Sequence, residues 1–376
     1  MKKYSLLLVL AAFGSLTVLL VGAKRNEAPR SDDSNASKKP EPLVRELGLV
    51  NWLRGFENAR NRAHEANKPL LILFQEVPGC ATCVGYGEQV LSHPLIVEAI
   101  ESEFIPLAVY NNISGEDRTT LKSFNEPSWN NPVVRIVTAD RKELAGRLDG
   151  NYSQRGLTSA MVTALERTGR PIPPYLRLLH DELASQERSV EHATFAMSCF
   201  WTGEAEFGAL DGVLKTRPGF VKGHEVVDVT FDPAVIPYAK LVQHAEKNSC
   251  AVRVFTKSKE QLSIAETIVD DAAQMSDEPL RADKEPKYYL SRTLLRFVPM
   301  TETQAARVNA AIGQGGNPER FLSPRQKDLL RLIKESSGAG WRNCIGEDFV
   351  AAWNHALAVA ESPGTRGRKP ISQVPQ

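Results

Sequence analysis

"PLLILFQEVPGCATC", residues Pro69 to Cys83, joins an unbroken apolar run to two cysteines separated by two residues. A run of that length without polar alternation reads as a strand buried on both faces. The Pro-Gly after it breaks the strand, and cysteines at this spacing can close a small disulfide if the chain turns there. If Cys80 starts a helix, the free backbone N–H groups there stabilise its thiolate. Cys80 is then the exposed nucleophile and Cys83 the resolving thiol. Before the strand, "VNWLRGFENARNRAHEANK" has apolar residues at helical spacing. After the cysteines, "VGYGEQVLSHPLIVEAIESE" reads as a helix and "FIPLAVYN" as a second strand. "PVVRIVTADRKELAGRLDG" reads as two strands around a turn, and "SQRGLTSAMVTALERTG" as a closing helix. Cys-x-x-Cys also serves zinc, but structural zinc wants four ligands and the nearest imidazole is His93. Redox chemistry is the favoured reading, with no metal expected.

This order of elements resembles the thioredoxin fold over residues 45–168. The Val-Pro-Gly-Cys phrase resembles a thioredoxin-like family that sometimes carries selenocysteine at the first cysteine. The resemblance implies a cis-proline facing the disulfide, which falls on Pro132 in "WNNP". The tryptophan that precedes the first cysteine in thioredoxin itself is absent.

A second phrase, "ATFAMSCFWTGEAEFGAL" (Ala193 to Leu210), again places a cysteine between a strand-like run and a helix-like one. With the following "LDGV", Gly219-Phe220 and "EVVDVTFDP", it resembles A-type peptide methionine sulfoxide reductase from about Ala193 to Val242. The fold expected is therefore α/β and α+β: a thioredoxin-like domain followed by a ferredoxin-like α/β sandwich. The resemblance makes Cys199 the nucleophile on a sulfoxide sulfur. It places Phe200 and Trp201 around the substrate methyl, a contact their apolar faces suit. Counting back from Asp232-Pro233, Glu225 falls on the family's catalytic acid, which must give a proton to the sulfoxide oxygen. Such an acid needs a closed, desolvated pocket to stay protonated. The implied activity is reduction of the S epimer of methionine sulfoxide in proteins, without a cofactor, using a thiol donor such as thioredoxin or dithiothreitol. Three departures stand out. Ser198 replaces the family's glycine, only "FVKGH" separates Gly219 from Glu225 where the family has a longer tyrosine-bearing segment, and its later Gly-Thr-Gln-Tyr phrase is missing. Those tyrosines hydrogen-bond the sulfoxide oxygen; Tyr288 and Tyr289 offer phenols in their place, or are ordinary packing.

Five cysteines occur in the chain: Cys80, Cys83, Cys199, Cys250 and Cys344. Cys250 and Cys344 are candidates to resolve an oxidised Cys199; each is equally readable as a small buried apolar residue. The chain has 376 residues, enough for two domains, with 42% hydrophobic and 24% charged residues. Its net charge of +1 gives no reason to expect nucleic acid. Residues 1–23, a basic start and an apolar run ending in "VGA", read as a signal peptide or membrane anchor. Residues 24–42 read as a disordered tether, 43–168 as the first domain, and 169–190 as a proline-rich join with a helix. Residues 191–345 form the second domain, and 362–376 a disordered tail. The protein is thus expected outside the cytoplasm, periplasmic or membrane-anchored, acting on oxidised proteins with a thiol reductant. Two rivals remain: a thiol–disulfide oxidoreductase with a degenerate second domain, and a non-enzymatic protein- or metal-binding module in which Cys199 is a buried relic.

Overall fold

The computed structural model describes residues 44–248, 253–336 and 340–362. The leader and tether, Cys250 and the tail beyond residue 362 lie outside the described residues. The first half runs α1 (Phe56–Ala66), β1 (Leu70–Gln75), α2 (Ala81–Gln89), α3 (Pro94–Glu103), β2 (Ile105–Tyr110), α4 (Glu116–Ser123), β3 (Val133–Val137), β4 (Leu148–Asp149) and α5 (Gln154–Arg167). Its sheet has the order β2-β1-β3-β4. β1 pairs parallel to β2 and antiparallel to β3, which pairs antiparallel to β4. Every residue of β1 is buried, as its unbroken apolar run requires. This is the thioredoxin-like arrangement.

Two local readings needed correction. The helix expected from about residue 84 to 103 is two helices. Pro94 takes the first position of α3, and His93 before it is extended (φ −70°, ψ 122°), as a residue preceding proline prefers. The helix expected from about residue 50 begins only at Phe56, after Gly55 at φ 85°. Ahead of it the chain is extended, with Leu53 bridged parallel to Leu107.

The join between the halves folds as α6 (Pro174–Ser185), which buries Tyr175, Leu176, Leu179 and Leu183. The second half continues with β5 (Glu191–Ala196), α7 (Phe200–Gly208), β6 (Val213–Val221), β7 (His224–Phe231), α8 (Tyr238–Lys247), β8 (Arg253–Thr256), α9 (Lys259–Val269), β9 (Ala273–Met275) and β10 (Arg281–Ala282). The sheet order is β10-β6-β7-β5-β8-β9. Its centre is a β5–α7–β6–β7–α8–β8 unit with antiparallel neighbours, the split arrangement of a ferredoxin-like fold. Phe195 of β5 stacks on Phe207 of α7 (4.5 Å between ring centroids), and Leu241 and Val242 of α8 join the same core.

Four further α-helices follow among the described residues: α10 (Tyr288–Ser291), α11 (Glu302–Gly313), α12 (Pro324–Glu335) and α13 (Phe349–Ala360). Thr301 caps α11, but Gln304 turns away to the Phe321 carbonyl and Gln326. A reciprocal capping box is formed by Ser323 and Gln326 at the start of α12. Leu329, Leu330 and Ile333 of α12 and Phe349 and Trp353 of α13 share one core with Leu95, Ile96 and Ile100 of α3. Arg325 of α12 pairs with Glu98 and Glu101 of α3. The C-terminal helices therefore pack against the thioredoxin-like half, and the two sheets do not float on a flexible join.

A shared core predicts shared unfolding. Trp353→Ala removes a nearly buried ring and should cost about 3–5 kcal/mol. Far-UV circular dichroism of the full chain should show one thermal transition, displaced downward as a whole. Two transitions, with only one moved, would contradict a common core.

Candidate redox sites

Two cysteines occupy the same kind of position, each the residue capping the N-terminus of a helix that follows a buried strand. Cys80 caps α2 in an extended conformation and is exposed, while Cys83 lies buried in the first turn. Their sulfurs are 3.5 Å apart. Around them, the Cys83 thiol donates to Asn131 Oδ1 at 2.7 Å. The fully buried Gln75, at the end of β1, donates from Nε2 to the Cys83 carbonyl (3.2 Å) and the Glu46 carbonyl (2.8 Å). Glu46 in turn accepts the Gly79 N–H at 2.8 Å. These bonds hold the loop between β1 and α2 from below. The Asn131–Pro132 peptide is cis, as is Val77–Pro78.

The two thiols are pushed in opposite directions. A hydrogen bond from the Cys83 backbone N–H holds Cys80 below its ordinary value of 9.0. Burial pushes Cys83 up to about 11. An exposed, readily ionised thiol beside a buried protonated one is the division of labour that thiol–disulfide exchange uses. The Glu76 carboxylate and both sulfurs lie within 4.8 Å of one another. Those three donors fall one short of a closed tetrahedral site.

Cys199 caps α7 and is half-buried. β5 ends just before it, and β7 begins beside that end: the Met197 N–H donates to the Glu225 carbonyl at 2.8 Å. The Glu225 carboxylate reaches the Phe200 N–H at 3.3 Å, so it sits against the N-terminus of the helix that Cys199 caps. Glu225 is half-buried as well, not sealed from water as expected from the sequence. Phe200 packs on Trp201 (5.5 Å, planes 42° apart) and edge-on to Phe220 (5.4 Å). The short stretch before Glu225 is a tight hairpin. Val221 pairs with His224 across Lys222 (φ 47°) and Gly223 (φ 77°), the two left-handed residues of a two-residue turn.

The structure separates the remaining candidates. Cys344 is 5% exposed, its thiol directed at the Phe297 carbonyl (3.6 Å), and burial raises it to about 11. It is packed as a small apolar residue and would have to be uncovered to resolve Cys199. Cys250 lies outside the described residues. Tyr288 stacks on Trp201, and the Tyr289 hydroxyl is 3.4 Å from Thr202 Oγ1. Sequence reading missed three contributors: Asp283, whose carboxylate accepts the Trp201 indole N–H at 3.4 Å, and the buried pair Glu204 and Lys287. Each is an ordinary polar residue in its local context, and no spacing rule links positions so far apart. Asn131 was missed in the same way.

A thioredoxin-like family model matches residues 51–139. A peptide methionine sulfoxide reductase MsrA of Thermus thermophilus is 31% identical over 122 residues, covering 24% of this chain and 69% of that protein. MsrA of Methanothermobacter thermautotrophicus is 41% identical over 69 residues (14% of this chain, 41% of that protein). MsrA of Listeria innocua is 38% identical over 74 residues (15% and 42%). The solved structure of a DsbH oxidoreductase matches 35% of this chain and 92% of its own at 16% identity, with a TM-score of 0.28.

The opposed thiols make a pH prediction. Iodoacetamide should modify Cys80 with a midpoint below pH 9, whereas Cys83 should resist until the pH approaches about 11. Peptide mapping of the reduced protein across pH 6–11, on the order of one unit per step, reads both. Equal reactivity at pH 7 would overturn the assigned order.

Proposed function

The chain belongs to the peptide methionine sulfoxide reductase MsrA family, and on that premise we propose that it reduces methionine sulfoxide, of the S epimer, in oxidised proteins. That family and the thioredoxin-like half make it an oxidoreductase. The observation that carries the finer reading is the Glu225 carboxylate, 3.3 Å from the Phe200 N–H at the helix end that Cys199 caps. Nucleophile and acid are thereby brought to one end of the sheet from separate elements.

The Cys199 thiolate attacks the sulfoxide sulfur while Glu225 delivers a proton to the departing oxygen. The sulfur–oxygen bond breaks, and the freed oxygen replaces the substrate on the Cys199 sulfur and so breaks the bond formed by the attack. The products are methionine and a Cys199 sulfenic acid. Phe200 and Trp201 hold the methyl group. A second thiol then condenses with the sulfenic acid, releasing water and leaving a disulfide. Exchange with a further dithiol restores Cys199. Cys80 and Cys83 are such a dithiol within the same chain, which supports a regenerating role for the first half. Thioredoxin or dithiothreitol would serve as external donors, and no cofactor is needed.

The apolar leader would carry the protein out of the cytoplasm, where oxidised exported proteins are its substrates, and would tether it to the membrane if uncleaved. Among the described residues no helix is long and apolar enough to cross a membrane.

With a methionine sulfoxide peptide and dithiothreitol, Cys199→Ser should abolish turnover. Glu225→Gln should lower kcat about a hundredfold and change KM by less than about threefold, since proton delivery matters in the transition state. A fully active Cys199→Ser variant, or a Glu225→Gln effect confined to KM, would contradict the assignment.

A further inference from the structure

Residues 283–289 close over the first turn of α7, and their attachment is unlike that of an ordinary surface loop. Glu204 is fully buried, and Lys287 is 3% exposed. The Lys287 N–H donates to Glu204 Oε2 at 2.7 Å, and its Nζ donates to Glu204 Oε1 (3.1 Å) and the Thr216 carbonyl (2.6 Å). Thr216 adds its own hydroxyl to Glu204 Oε1 at 3.1 Å. Lys287 itself sits at φ 56°, a conformation unfavourable for a residue with a side chain. Lys287 stays in that conformation because both its backbone and its ammonium are engaged by one carboxylate.

The next residue benefits. Tyr288 lies flat on Trp201, with centroids 3.9 Å apart and planes 11° apart. The Arg292 guanidinium lies 4.6 Å from the Tyr288 ring centroid and pairs with Glu285 at 2.8 Å. Tyr289 packs so closely on Gly313 that a Cβ there would come within 2.8 Å of its ring. One face of Trp201 is therefore covered by Tyr288.

We propose that Tyr288 is a specificity-determining wall of the sulfoxide pocket, set in place by the positioning pair Lys287 and Glu204, and that it restricts the site to S-methyl sulfoxides. This rests on the reductase reading of Cys199. Tyr288 narrows the aromatic slot to one face of Trp201, so an S-ethyl group must displace a ring braced from behind.

The test compares peptides bearing methionine sulfoxide and ethionine sulfoxide. A single methylene in a fitted pocket changes kcat/KM by about 10–200-fold. The wild-type protein should prefer the methyl substrate by at least about tenfold, Tyr288→Phe should keep that preference, and Tyr288→Ala should reduce it to about threefold or less. Lys287→Met combined with Glu204→Gln leaves no orphaned charge and should relax the preference as Tyr288→Ala does. Unchanged preference in Tyr288→Ala overturns the wall, as does a relaxed preference in Tyr288→Phe; unchanged preference in the double variant overturns the positioning pair. A second readout needs no turnover: protection of Cys199 from iodoacetamide by each peptide, followed by mass spectrometry. If the wild type reduces neither peptide, the reductase reading fails, and the same methyl-over-ethyl order in protection still decides whether Tyr288 shapes the pocket.

Discussion

The buried carboxylate of Glu204 is the constraint around which the second half is arranged. An ion taken out of water is costly unless its charge and all its hydrogen bonds are answered nearby. Here the answer comes from β6, through Thr216, and from residues 283–289, through Lys287. Satisfying one carboxylate thus fixes α7, the central sheet and residues 283–289 relative to each other. Cys199, Phe200 and Trp201 are the cap and first turn of that same α7. The reactive end of the helix is as well defined as the ion pair that anchors its middle.

The halves solve one chemical problem twice. In both, a buried strand delivers a cysteine to the N-terminus of a helix. The residues next after each cysteine separate the two chemistries. Cys80 is succeeded within one turn by a buried thiol, raised to about 11, that can resolve a mixed disulfide. Cys199 is succeeded by two aromatic rings and faced by a carboxylate, which suits attack on a polar group carried by an apolar substituent. The C-terminal helices share a core with the first half, while the second sheet keeps a core of its own. Any exchange between the halves is therefore a matter of uncovered thiols and fixed geometry. Cys344, buried against the Phe297 carbonyl, shows how much uncovering a resolving step through it would require.

Much of this was legible in short stretches of sequence, because the signals are local. The apolar run before Cys80 and the aromatic pair after Cys199 each follow from residues within a few positions. The broken helix at His93-Pro94 was legible too, in the proline, but helical periodicity on both sides masked it. The features that escaped depend on contacts distant in sequence. Glu204 in "GEAEF" and Lys287 in "EPKYY" look like solvated charges until folding buries them together. Likewise, the apolar faces of α12 and α13 announce that they will be buried but not that their partner is α3. Asn131 beside Cys83 belongs to the same class.

The central claim is that Cys199 takes oxygen from methionine sulfoxide. It is tested most directly in a Cys80→Ser, Cys83→Ser variant, reduced, freed of reductant and given a methionine sulfoxide peptide. Peptide mapping with a sulfenic-acid trap should find close to one methionine formed per chain and Cys199 oxidised, as the trapped sulfenic acid or in a disulfide. No methionine formed, or methionine formed with Cys199 still a free thiol, would contradict the account.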